Sequence, residues 1–151
     1  MRLFLITVTV TGFALSTFMM AAGEAVAVQD TPVSINGVEA VCTGVGSAKD
    51  DPRWRAYPVK IVLATTGGAN LANAHVSLFK GGKAKGSQEV AGLDCDAPWI
   101  LFKPPAGAYT ATATLIGGAE SRSANFSTSG NGAQKEITIM FARPSEARVG
   151  Q

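Results

Sequence analysis

From Tyr109 to Leu115 the chain alternates without a break: Tyr109, Ala111, Ala113 and Leu115 fall on one side, Thr110, Thr112 and Thr114 on the other. Side chains two apart share a face only in an extended strand, so this stretch is expected to form a half-buried β-strand. Threonine is β-branched and polar, which suits a solvated sheet face. Just upstream, Trp99, Ile100, Leu101 and Phe102 make a short unbroken apolar run, the pattern of a strand covered on both faces. Pro104 and Pro105 cannot donate to a ladder and end that strand, and Gly107 lets the chain reverse into the next one.

The same period of two recurs along the chain. Val38, Ala40 and Cys42 alternate with Glu39, Val41 and Thr43 after the turn signal Asn36-Gly37. Val59, Ile61, Leu63 and Thr65 alternate with Lys60, Val62 and Ala64, and Ala74, Val76 and Leu78 with His75, Ser77 and Phe79. Ser87 to Ala91 reads as a weaker strand. Ala124, Phe126 and Thr128 oppose Ser123, Asn125 and Ser127, and Ile137, Ile139 and Phe141 give a last strand its inward face. Turns are expected at Gly67-Gly68, Gly81-Gly82 and Gly117-Gly118, and Gly130-Asn131-Gly132 is expected to close a hairpin. No helical apolar stripe follows the N-terminal segment. The pattern predicts an all-β fold: an antiparallel, seven- to eight-stranded Greek-key sandwich of the immunoglobulin or prealbumin kind, with a small closed barrel as the alternative.

Residues 1–27 stand apart. Arg2 precedes an apolar run from Leu3 to Ala22, and Ala25-Val26-Ala27 offers small residues at the spacing of a cleavage site. This is read as a signal helix removed after Ala27. The alternative is an uncleaved anchor, since about 20 apolar residues span a bilayer; Thr7, Thr9, Thr11, Gly12 and Ser16 weigh against it. The domain is then expected over residues 28–143, with a frayed tail over 144–151, and a periplasmic or secreted location follows. A mature chain of about 124 residues suits one domain with one core. One positive and one negative residue lie in the leader, so the net charge stays at +2. That is too mild to imply a nucleic-acid partner or an anionic membrane.

Cys42 and Cys95 in an exported chain are expected to form a disulfide, with two free buried thiols as the alternative. They are not a C-x-x-C pair, so nothing supports a thioredoxin-type role.

Two segments carry a family resemblance. Gly68-Ala69-Asn70-Leu71-Ala72-Asn73-Ala74-His75-Val76-Ser77-Leu78-Phe79, followed by Phe102-Lys103-Pro104-Pro105-Ala106-Gly107-Ala108-Tyr109-Thr110-Ala111-Thr112-Ala113, resembles carboxypeptidase regulatory-like (prealbumin-like) modules. The likeness lies in a small-small-Val-x-Val strand ahead of a Pro-x-Gly-x-Tyr corner, and it spans about residues 58 to 142. Pro105-Ala106-Gly107 departs slightly from the family's Pro-Gly. The resemblance implies a seven-stranded sandwich used as an accessory, adhesive or binding domain, here free-standing. The chain also resembles small exported proteins of Gram-negative bacteria without an assigned role. Transthyretin-like hydroxyisourate hydrolases share a related sandwich, but they use several histidines and a C-terminal Tyr-Arg-Gly-Ser. This chain has only His75 and ends Ala147-Arg148-Val149-Gly150-Gln151, so that activity does not carry over.

Residues that bear chemistry are sparse. His75 is expected to be a surface or half-buried strand residue rather than a general base. Asp94 and Asp96 flank Cys95 and, by alternation, share a face; a hard cation wants six to eight oxygens, so a solvated loop is expected instead. No Gly-x-Ser-x-Gly elbow, phosphate loop or histidine pair is present. Asn125-Phe126-Ser127 fits a glycosylation sequon, a short pattern that arises often by chance. The stretch Gly46 to Tyr57 is long for a sandwich connection, and its Arg53, Trp54, Arg55 and Tyr57 are residue types favoured at binding hot spots. The competing expectation is that Trp54 folds back over the sheet while the arginines pair with Asp50 and Asp51. The lysines around Gly81-Gly82 (Lys80, Lys83, Lys85) form a second candidate surface.

From these residues the expectation is a non-catalytic periplasmic interaction or structural module whose partner is a protein or cell-envelope component. No cofactor, metal, nucleic acid or stable membrane insertion is expected. The alternative is a small-ligand or carbohydrate-binding module, which requires aromatic rings aligned on one exposed face. Trp54, Tyr57 and Trp99 are the candidates for that role. An enzyme ranks last.

Overall fold

The computed structural model describes residues 27–81, 87–118 and 120–142. Residues 1–26 of the expected signal helix, the tail, and Gly82, Lys83 and Lys85 lie outside them; Ala27, the last residue of that expected segment, is described and packs against the core. Nine strands form two packed sheets: β1 (Val33–Ile35), β2 (Val38–Thr43), β3 (Val59–Thr65), β4 (Ala74–Lys80), β5 (Glu89–Cys95), β6 (Trp99–Lys103), β7 (Gly107–Leu115), β8 (Ser121–Thr128) and β9 (Lys135–Phe141). One sheet runs β1-β2-β6-β3-β9 and the other β5-β4-β7-β8. The all-β sandwich expected from the period of two is the observed architecture.

Alternation decides what lies between the sheets. Ala40, Cys42, Val59, Ile61, Leu63, Ile100, Phe102, Ile139 and Phe141 from the first sheet meet Ala74, Val76, Leu78, Ala91, Leu93, Tyr109, Ala111, Ala113 and Phe126 from the second. Small alanines on β7 let the larger rings and branched chains opposite fill the layer, as close packing requires. The Cys42–Cys95 disulfide crosses this core from β2 to the end of β5, with Cα atoms 5.6 Å apart. At the corner before β7, the Tyr109 hydroxyl donates to the Pro105 carbonyl at 2.7 Å, which ties the proline turn to the strand that follows.

Four local expectations are corrected. The sandwich is not wholly antiparallel: β3 and β9 pair in parallel, Val59 opposite Lys135 through Thr65 opposite Phe141. Nor does Gly130-Asn131-Gly132 close a hairpin: β8 and β9 lie in different sheets, and the segment arches from one to the other. The weak strand expected over Ser87 to Ala91 runs instead from Glu89 to Cys95, with Ala91, Leu93 and Cys95 inward. Finally, the threonine face of β7 is polar without being well solvated. Thr110 is 1% exposed and Thr112 9%. Their hydroxyls are satisfied across the strand pair: Thr110 donates to Asn125 at 2.6 Å, Thr112 and Ser123 lie 2.8 Å apart, and Thr114 donates to Ser121 at 3.0 Å.

The short β1, unforeseen from the sequence, joins β2 through a turn in which Asn36 and Gly37 both take positive φ, 50° and 81°. Two such residues are what a two-residue hairpin turn demands. Among the described residues no helix is long and apolar enough to cross a membrane. A disulfide built into the core fits an oxidising, extracytoplasmic compartment.

Candidate functional site

The Gly46–Tyr57 stretch is neither an open loop nor a strand. It folds into two short 3-10 turns, Gly46–Asp50 and Pro52–Ala56, laid on the outer face of the five-stranded sheet. Asp51 starts the second turn: its carboxylate accepts the Arg53 backbone N–H at 2.9 Å and the Arg53 Nε–H at 2.8 Å, and Pro52 supplies a pre-set φ at the first position. The Arg53 side chain and backbone bonds hold the Asp51 carboxyl below the usual aspartate range.

Trp54 and Tyr57 then turn inward. Trp54 is 4% exposed and Tyr57 3%, and with Val41 of β2 and Leu101 of β6 they form a second apolar cluster outside the main core. The two rings meet edge to face with centroids 6.1 Å apart. The Trp54 indole N–H donates to the Ala48 carbonyl at 2.7 Å, so the polar end of the buried ring is satisfied. The Tyr57 hydroxyl donates to the Glu39 carboxylate. Burial, with that bond second, pushes the Tyr57 phenol well above its ordinary range. Gln134, between β8 and β9, donates its amide to both the Trp54 carbonyl (2.8 Å) and the Tyr57 carbonyl (3.0 Å). The turn is therefore clamped from three sides.

This arrangement explains the run Trp99–Phe102. Ile100 and Phe102 face the main core, while Leu101 is fully buried on the other side because Trp54 and Tyr57 cover it. Trp99 is only half-buried. Its ring lies over Gly44 and carries the Lys60 ammonium 3.6 Å from its centroid; Lys60 in turn pairs with Glu136 at 3.0 Å. Lys103 sits 4.7 Å from the Tyr57 ring centroid and 3.6 Å from the Glu39 carboxylate.

The four residues singled out from the sequence thus divide by role. Trp54 and Tyr57 are structural caps. Arg53 is spent on Asp51 (2.8 Å) and lies 4.9 Å over the Trp54 ring. Arg55 is exposed and, among the described residues, has no carboxylate within ion-pair distance; the same holds for Lys49. Both line a cleft of about 270 Å³ between the turns and the sheet, with Asp50, Lys60, Trp99 and Gln134. Asp50 does not pair with either arginine. With Trp54 and Tyr57 buried and Trp99 covered by Lys60, the three rings present no aligned exposed faces for a sugar to stack on.

The opposite sheet holds a polar array that the sequence reading missed. Asp94 lies on β5 directly across from His75 on β4, and its Oδ1 is 2.6 Å from His75 Nδ1. Ser77, two residues along the same strand, places Oγ 3.1 Å from His75 Nε2. Asp94 and Asp96 therefore do not act together: Asp96 follows the strand, is exposed, and offers its backbone carbonyl to Gln29 at 2.7 Å. The signal for the array was the His75-x-Ser77 spacing on one strand; what could not be read was that Asp94 belongs to the neighbouring strand in that register. Among the described residues no three His, Cys, Asp or Glu side chains converge as metal ligands. No family model matches the chain, and no curated protein matches it.

Proposed function

We propose that this chain is an exported interaction module of the cell envelope, and that its recognition surface is the capped outer face of the five-stranded sheet. One observation carries the reading. The cap sets Lys49 and Arg55, both exposed, on a cleft beside Trp99; neither has a carboxylate within ion-pair distance among the described residues, although Asp50 and Asp51 line the same cleft. Desolvating an arginine or lysine there is favourable only if an incoming partner supplies an acceptor, and a turn whose backbone is already ordered lowers the entropy cost of binding. A partner with carboxylate or phosphate groups, on a protein or an envelope polymer, fits that face. The buried rings count against the carbohydrate-stacking alternative.

The carboxypeptidase regulatory-like assignment belongs to the same proposal. Its support is that β3 to β9, from Val59 to Phe141, form a sandwich of seven strands over the span of the resemblance, with β1, β2 and the two turns added on the N-terminal side. The test is quantitative capture from intact envelopes, comparing the unaltered protein with the Lys49→Ala/Arg55→Ala double variant. Loss of the captured component in the variant, with unchanged melting, supports the reading. Equal capture by both removes this face from it.

A further inference from the structure

On the far sheet, the connectivity Asp94–His75–Ser77 has a chemical direction. With the carboxylate on Nδ1, a neutral imidazole carries its hydrogen there and presents Nε2 as an acceptor, so the Ser77 hydroxyl donates to it. A hydroxyl hydrogen-bonded to a base that is itself oriented by a third group is the arrangement that activates a nucleophile. We propose that Ser77 is a nucleophilic serine that accepts acyl groups from small activated esters, with His75 as its base and Asp94 as the positioning residue.

The surroundings bear on access and on rate. Ser77 is only 6% exposed, but its partner across β5 is Gly92, which leaves a notch on that side. The carboxylate end of Glu89 reaches into the notch, 2.3 Å from where a Gly92 Cβ would sit; the same point is 3.3 Å from Ser77 Oγ. Because Glu89 is an exposed side chain, a small uncharged ester displaces it more readily than an anionic one, which its charge repels. Strand β4 is paired on both sides, with β5 and β7, so its backbone N–H groups are taken up by the ladders. The Thr112 hydroxyl, opposite Ser77 on β7, lies 2.8 Å from Ser123 Oγ and must turn from that bond to donate to a developing oxyanion. An oxyanion site without a preorganised donor pair gives slow turnover, since each missing donor costs about 10²–10³ in rate.

The step balances without any added reactant except water. Ser77 Oγ bonds to the ester carbonyl carbon while its proton passes to His75 Nε2. The tetrahedral intermediate collapses with cleavage of the bond to the leaving oxygen, which takes that proton and departs as the alcohol. Water then attacks the acyl-serine, giving its proton to His75. The acyl–Oγ bond breaks, Ser77 recovers the proton, and the acid is released.

The probes are p-nitrophenyl acetate and a neutral alkyl fluorophosphonate, used on the purified full-length mature protein. The expected result is a single label on the peptide containing Ser77, absent in Ser77→Ala. His75→Ala is expected to slow labelling about 10²-fold, with added imidazole restoring part of the rate. Asp94→Asn slows labelling and Asp94→Glu recovers part of it, which a purely structural role for Asp94 does not produce. Should His75→Ala fold poorly, His75→Gln serves in its place. An absence of label on the folded protein, or a label that persists in Ser77→Ala, overturns the proposal. Neither result bears on the capped face of the other sheet.

Discussion

Replacing Trp54 with alanine separates the cap from the binding surface. The ring is 4% exposed and is packed on Tyr57, Val41 and Leu101, with its N–H bonded to the Ala48 carbonyl. Truncating a buried tryptophan costs about 3–5 kcal/mol. The cluster lies under a short turn rather than between the sheets, so water enters the vacated space more easily than in the main core, and the low end, about 3 kcal/mol, is expected. For a domain of this size each kcal/mol lowers Tm by about 3–5 °C, so a fall of roughly 9–15 °C follows. Urea unfolding followed by tryptophan and tyrosine fluorescence measures the same quantity as a shift in midpoint. Arg55→Ala is the paired control: an exposed side chain without a partner among the described residues should change stability by less than about 0.5 kcal/mol. If Trp54→Ala unfolds within 1 kcal/mol of the unaltered protein, the ring is not a cap and the argument about the whole Gly46–Tyr57 segment fails.

Other outcomes follow from single contacts. Reducing the Cys42–Cys95 bond, whose ends are 53 residues apart, should lower stability by about 4 kcal/mol in the chain-entropy model, read by urea titration with and without reductant. Gly44→Ala places a Cβ 2.7 Å from the Trp99 ring at a φ of +106°, so a loss of about 2 kcal/mol or more in the same titration is expected. Alkaline pH should destabilise the fold through Tyr57. Its phenol is raised in the folded state, so the unfolded chain loses this proton first, near pH about 10. The stability that Tyr57 contributes is thus fully present below that pH and is lost progressively above it. Tyr57→Phe should flatten the decline in melting temperature between neutral and strongly alkaline pH; an unchanged slope would count against the buried hydroxyl.

The period of two made most of this sandwich legible, because alternation fixes which side chains face a common core whatever the strand order. What it left unread has specific causes. In β5, the strand-poor residues Gly92 and Asp94 stand on the outward face and hid the inward series Ala91, Leu93 and Cys95. The parallel β3–β9 pairing is a tertiary choice; glycines at 130 and 132 look the same whether they close a hairpin or bridge two sheets. Composition marks out the Gly46–Tyr57 segment, and the expectation that it caps the sheet is met in part. Trp54 folds back and Arg53 pairs, while Arg55 stays exposed. Leu101 shows why the apolar run at Trp99 reads as covered twice: the second cover is the turn itself. The Asp94–His75–Ser77 array needed the register of β4 on β5, which no local pattern supplies.

The pairing of β3 with β9 is where the two-sheet account is most exposed to test, since it requires the chain to cross between layers after β8. Cross-strand nuclear Overhauser effects in the isotope-labelled protein decide it. The account predicts contacts between the strands around Ile61 and Ile137 and again around Leu63 and Ile139, advancing together along both strands. Contacts linking β9 in antiparallel register to β8, as a hairpin at Gly130-Asn131-Gly132 would give, contradict it.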